Sequence, residues 1–278
     1  MKVHHLNCGT MRPFGGRLVD GKGGLLHRAE LACHCLLLET DAGLVLVDTG
    51  MGSPAVHRPE EWLGKGFVNL TRPVRSEHET ALAQIQQLGY RAEDVRHIVL
   101  THLDLDHAGG LVDFKHATVH VYDRELQALK SPRHTTERLR YRRPQFQHGP
   151  LWSPYAAHGE PWFGFDAVRE LDGLPPEILL VPLAGHTSGH AGVAVDTGDG
   201  WLLHAGDAYF HHGELDPHQP QCPSGLKVFE LGAQTEREPR LHNQHRLREL
   251  AHSHPEVTVF NAHSAVQLNR MRNYSGAR

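Results

Sequence analysis

Four cysteines in 278 residues leave little room for a disulfide framework. Cys33 and Cys35 flank His34 with one residue between them, short of the roughly two to four that structural zinc sites use. On a strand their thiols share one face, which is core packing. No apolar run approaches the length of about 18 residues that a membrane span needs. No charged leader followed by an apolar region opens the chain, so the expected setting is a reducing cytoplasm without a membrane partner. Basic charge is also scarce: the net charge is -4, which gives no electrostatic footprint for nucleic acid. The run Arg138 to Arg143 is a local exception and reads as a solvated helix face. A hydrophobic content of 39% and a charged content of 22% suit a globular chain able to bury a large core.

Histidine is what the sequence has in excess, with 25. A metal site uses a handful of them, so the abundance weakens the case for any single one. Position has to discriminate.

Apolar runs and turn residues give a coarse order of elements. Residues 33–48 read as a hairpin about Thr40-Asp41-Ala42-Gly43. Ser76 to Gly89 reads as a helix with a Ser76/Glu79 capping box. Strands follow at 97–101 and 118–122, then a segment of weak periodicity, 124–172, read as a helical or irregular insertion that caps a site. Its Trp152, Trp162, Phe163 and Phe165 would line an apolar pocket or form a small core of their own. Strands resume at 177–183, 191–197 and 200–208. Residues 214–225 read as extended, 240–254 as a helix stopped by Pro255, and 257–263 as the last strand. Strands and helices alternate in two successive halves of one domain spanning 1–278, so the fold class is α/β or mixed α+β.

The ligand-type residues fall at the ends of these strands. Strand 97–101 runs into His102, Asp104, Asp106 and His107. Strand 177–183 is followed by His186 and His190, strand 201–205 by Asp207, strand 257–261 by His263, and strand 44–47 by Asp48. Loops at strand ends converge while the strands stay rigid. A buried carboxylate costs several kcal/mol unless a cation neutralises it. Imidazole with carboxylate suits zinc, iron, manganese or cobalt, and one carboxylate between two such ions can bridge them.

The ordered series "THLDLDHAGG" (101–110), "GHTSGH" (185–190), "AGD" (205–207) and "NAH" (261–263), preceded by "VDTG" (47–50), resembles the metallo-β-lactamase superfamily. The resemblance implies a four-layer αβ/βα sandwich with the metal site at one edge of two packed sheets. It further implies two divalent ions, zinc before iron or manganese. One would be held by His102, Asp104 and His186, the other by Asp106, His107 and His263, with Asp207 bridging. Asp48 would orient a ligand and His190 would give structural support.

Asp104 stands where the common pattern has His. Three roles are open to it: a ligand through oxygen, a partner only through water that leaves its site weak, or a residue with another role. The implied reaction is hydrolysis of an ester, lactone or related small molecule by a metal-bound hydroxide, with Asp106 moving the proton. The chain is most similar to the lactonase-like branch. Acyl-homoserine lactonases of that branch carry Tyr three residues after the bridging Asp; here Phe210 stands there, with Tyr209 one earlier as a substrate candidate. An iron-dependent oxygenase or redox enzyme of the same superfamily, or a metal-binding protein without catalysis, are the alternatives. The expected partner is a small-molecule substrate, and the oligomeric state is open, a homodimer included.

Overall fold

A computed structural model describes residues 1–133, 135–156, 159–167 and 171–275. Its first sheet has six strands in sequence order: β1 (Lys2–Met11), β2 (Leu31–Thr40), β3 (Gly43–Val47), β4 (Val95–Val99), β5 (Thr118–Tyr122) and β6 (Leu151–Tyr155). The first three pair antiparallel and the last three join in parallel. A two-stranded hairpin, β7 (Glu160–Trp162) and β8 (Phe165–Ala167), leads to a second sheet. That sheet runs β12-β11-β10-β9, with β9 (Ile178–Pro182), β10 (Ala191–Asp196), β11 (Trp201–His204) and β12 (Val257–Phe260).

Strands β2, β3, β9 and β10 are largely apolar because both of their faces are covered. Alternate residues divide between layers. Leu36, Leu38, Val45, Val47 and Val99 meet Ile178, Leu180, Val193 and Phe260 between the sheets. On the outer face of the first sheet, Leu37, Leu46 and Ile98 pack against Ile85 and Leu126 of flanking helices. On the outer face of the second, Leu179, Val181 and Leu203 pack against Leu247 and Leu250 of the helix Arg237–Ser253. This is the helix-sheet-sheet-helix order that the resemblance implies. No helix among the described residues is long and apolar enough to cross a membrane.

Several local expectations need correction. The helix expected from Ser76 starts later, at Ala81, because Thr80 takes the capping role by accepting from the Ala83 amide. Residues 214–225 are not extended throughout: a 3-10 turn covers His212–Leu215, and Ser224 opens a helix that runs to Ala233. The segment 124–172 is no detached cap. Its strand β6 extends the first sheet, Trp162 and Phe165 pack into the outer core of the second, and Trp152 packs beside Phe146 against the first sheet's outer core. Residues 134, 157–158 and 168–170 of that segment lie outside the described residues.

Candidate metal centre

Five strands deliver the site from their carboxyl ends. Asp48 follows β3, the 102–107 loop follows β4, His186 and His190 follow β9, Asp207 follows β11 and His263 follows β12. In the 102–107 loop the Asp104 carbonyl accepts from the amides of His107 and Ala108, a tight turn that throws its side chains to one side. Gly206 lets Asp207 approach, since a Cβ there would lie 2.6 Å from His190 Nε2 and 2.9 Å from Thr101 Cβ. Its φ of +51° is also a region that side chains disfavour.

Asp207 is the hub. Its Oδ1 lies 3.2 Å from His107 Nε2 and 3.0 Å from His263 Nε2. Its Oδ2 lies 3.3 Å from His186 Nε2 and 3.7 Å from His102 Nε2. Asp104 Oδ2 is 3.0 Å from His186 Nε2 and 3.3 Å from His102 Nε2. Asp106 Oδ2 is 3.8 Å from His263 Nε2. The seven residues therefore meet, in two groups that share Asp207. His102, Asp104, His186 and Asp207 form the first; His107, His263 and Asp207, with Asp106 alongside, form the second. Cys33 also lies against Asp106 and His263, and burial pushes its thiol well up.

These residues fit a metal. His263 Nδ1 donates to the Ala32 carbonyl at 2.7 Å, and His107 Nδ1 is held by Asp48 Oδ2 at 2.8 Å, so each ring turns Nε2 inward. The buried Nε2 atoms of His102 and His107 and Oδ1 of Asp207 have no hydrogen-bond partner. Burial disfavours a charged ring at His107, yet Asp207 and Asp48 together pull its pKa well above the ordinary value. The site is thus an anionic cradle that calls for positive charge, and a divalent ion meets that call through lone pairs already aimed at it. Asp207 itself is held well below the usual carboxylate range, His263 and His107 outweighing its burial.

Three residues outside the ligand groups hold them in place. Asp48, in the left-handed region at φ 55°, accepts from the Thr101 amide and hydroxyl, each at 2.8 Å, as well as from His107. His190 donates from Nδ1 to the Leu183 carbonyl and accepts the Asp207 amide on Nε2 at 2.9 Å. The expected residues Asp48 and His190 therefore touch ligand residues and do not line the cavity at the site. Glu125, which sequence reading missed, is fully buried and accepts from the Leu103 amide and the Thr187 hydroxyl, tying two ligand loops together. Nothing in its helical stretch marks it out.

An apolar cavity of about 440 Å³ opens onto this cluster. Asp104, Asp106 and Asp207 lie at its base, while Phe14, Leu18, Phe67, Leu70, Leu226 and Phe229 wall it. The wall comes from the segment before β2 and from the helices Lys65–Thr71 and Ser224–Ala233, not from the segment expected to cap the site. From the described residues of 124–172, Arg140 alone reaches the cavity. Its inward turn departs from the solvated face expected for Arg138 to Arg143, although Arg138 and Arg143 themselves are exposed. Tyr209 is corrected too: it is 1% exposed, and its hydroxyl bonds Gln267 instead of facing the cavity. Phe210 takes the position at the cavity and stacks on His263, ring centroids 5.2 Å apart.

The chain is similar to known proteins over most of its length. It is 45% identical over 268 residues to a probable metallo-hydrolase of Mycobacterium bovis, covering 95% of this chain and 80% of that one. An N-acyl homoserine lactonase of Bacillus cereus is 27% identical over 175 residues, 63% of this chain and 61% of that one. Among solved structures, a Bacillus thuringiensis AiiA mutant with N-decanoyl-L-homoserine bound superposes with a TM-score of 0.72 at 21% identity, covering 97% of this chain and 95% of that one. The dizinc quorum-quenching lactonase AidC does so with a TM-score of 0.61 at 18% identity, covering 94% and 86%. Residues 28–263 match the metallo-beta-lactamase superfamily, and the chain belongs to it.

Proposed function

We propose that this protein is a metal-dependent hydrolase that cleaves an ester or lactone bond in a small molecule bearing an apolar group. The observation that carries the reading is the junction at Asp207, whose two oxygens face two sets of inward-turned imidazoles at the base of an apolar cavity. The N-acyl homoserine lactonase relatives, and a neighbour with an acyl-homoserine at its active site, support a substrate of that kind.

His107, His263, Asp207 and Asp106 would hold a divalent ion, and His102, Asp104 and His186 extend the donor set beyond Asp207. Imidazole and carboxylate donors suit zinc, with manganese or iron as close competitors. A bound ion there supplies Lewis acidity and lowers the pKa of water towards about 7.

The chain's own residues do the rest. Phe14, Phe67 and Phe229 hold the apolar group and exclude water from it. Asp106 faces the cavity, and burial raises its carboxyl above the ordinary value despite His107 and His263. A carboxylate so placed accepts a proton from the attacking water and passes it to the leaving oxygen. Asp48 and Glu125 keep the ligand loops in register.

Elemental analysis of the purified protein, beside hydrolysis of an ester and lactone panel, tests this reading. Bound zinc or manganese with cleavage of at least one lactone or ester is expected. A protein that holds no metal after reconstitution, or that holds iron and consumes oxygen without hydrolysis, sinks it.

A further inference from the structure

The two ligand groups around Asp207 differ in one respect: the first already contains a cation. Arg140, at the end of the helix Thr135–Arg140, is 15% exposed and forks onto Asp104. Its Nε lies 2.5 Å from Oδ1 and its Nη2 lies 2.6 Å from Oδ2. The same Nη2 is 2.6 Å from His186 Nε2, and Nη1 donates to the Ala233 carbonyl.

Each of these contacts takes something that a metal would need. Both oxygens of Asp104 are engaged. The inward lone pair of His186 accepts an N–H bond. Nη2 sits between Asp104 Oδ2 and His186 Nε2, which are 3.0 Å apart, in the place an ion shared by those atoms would fill. In the second group, by contrast, His107 Nε2 lies against Asp207 Oδ1, and His263 Nε2 against Asp207 Oδ1 and Asp106 Oδ2.

The charges agree with the geometry. The superfamily pattern has a neutral histidine at position 104, and the aspartate here adds one negative charge. Arg140 cancels it with a guanidinium that keeps its proton at any working pH. A paired, bidentate guanidinium is also a strong and specific partner for a carboxylate.

Building on the metal-hydrolase reading, we infer that Arg140 fills the first group in place of a second divalent ion. The protein then takes one ion, at Asp106, His107, Asp207 and His263, with the guanidinium as the fixed positive charge beside it. Asp104 is a partner of arginine and not of metal.

Counting ions tests this without any assay of turnover. Metal-stripped protein titrated with zinc or cobalt(II) by calorimetry, and checked by elemental analysis after desalting, is expected to saturate at one ion per chain. Arg140→Met, which keeps the bulk and removes the charge, is expected to saturate at two. Two ions in the unaltered protein overturn the inference with no variant needed. A count that stays at one in Arg140→Met overturns it as well, since Arg140 is then not what blocks the second ion. No ion in either protein removes the inference together with the hydrolase reading, whereas two ions in the unaltered protein remove the inference alone.

Discussion

Histidine is buried at the centre of this protein in two kinds of company. His102, His107, His186 and His263 lie within reach of Asp104, Asp106 and Asp207. His5, His34 and His204, also buried, meet one another, Phe260 and main-chain groups. His5 Nδ1 pairs with His34 Nε2 at 2.9 Å. His204 donates to the His34 carbonyl at 2.6 Å and accepts the Gly206 amide, so both of its nitrogens are spent on backbone. The electrical outcome is opposite at His107 and His263, which are raised, whereas burial outweighs the carboxylates at His102 and His186 and lowers both. The carboxylates beside His107 pull its pKa up against burial, whereas burial, with His204 and Arg272, pushes His5 down to about 4. Burial thus favours a neutral ring throughout, and at His107 and His263 the converging carboxylates outweigh it.

The comparison breaks if the wrong cluster responds to substitution. The largest effect belongs to Asp207→Ala, which removes the one carboxylate common to both ligand groups. Metal content should collapse and kcat/KM fall by on the order of 10³ or more, about 4 kcal/mol in barrier terms. Retained metal with full activity would remove Asp207 from the centre.

Next comes acid stability. The folded pKa of His5 is lowered from 6.5 to about 4, so between those values the unfolded chain binds more protons. Stability should be fully present above about pH 6.5 and lost as pH falls towards 4. The loss is on the order of 3 kcal/mol for this residue alone. Denaturant midpoints at pH 5 and pH 7 should differ less in His5→Phe, with metal content unchanged. Metal loss in that variant would erase the distinction between the clusters.

Asp48→Asn sharpens the comparison from the other side, since it keeps the shape but weakens the anchor on His107 Nδ1. Metal affinity, read by competition with a chelator, should drop by about 10- to 100-fold. The smallest effect is expected from Tyr209→Phe, which deletes only a hydroxyl bonded to Gln267. Stability should fall by about 1 kcal/mol with substrate KM unchanged, and a large rise in KM would return Tyr209 to the substrate cavity.

The strand ends were legible because buried strands read as apolar runs and the first polar residues after them must be neutralised somewhere. His102, His186, Asp207 and His263 stand out for that reason, and the structure brings them together. Arg140 and Glu125 were not legible. Each is a charged residue on a helical stretch, the commonest thing a solvent-facing helix presents, and its partners lie in loops remote in sequence. The walls of the cavity were hidden for a similar reason. Leu226 and Phe229 sit on a helix that starts just after Pro223, and a Pro- and Gly-containing stretch reads as a loop until packing shows otherwise. The misplaced helix start at Ser76 is a local contest, in which Thr80 bonds both the Ala83 amide and the Glu77 carbonyl.

Asp207 has a mechanical meaning as well as a chemical one. It follows a strand of the second sheet, while His102 and His107 follow a strand of the first. An ion held by Asp207 and His107 would act as a rivet through the seam between the sheets. Chelation should therefore loosen a joint as well as a pocket. Amide exchange should quicken along β2 and β11, which meet near the site where His204 donates to the His34 carbonyl and the two rings pack edge-on. Protease resistance should rise with metal loading even when no substrate is present.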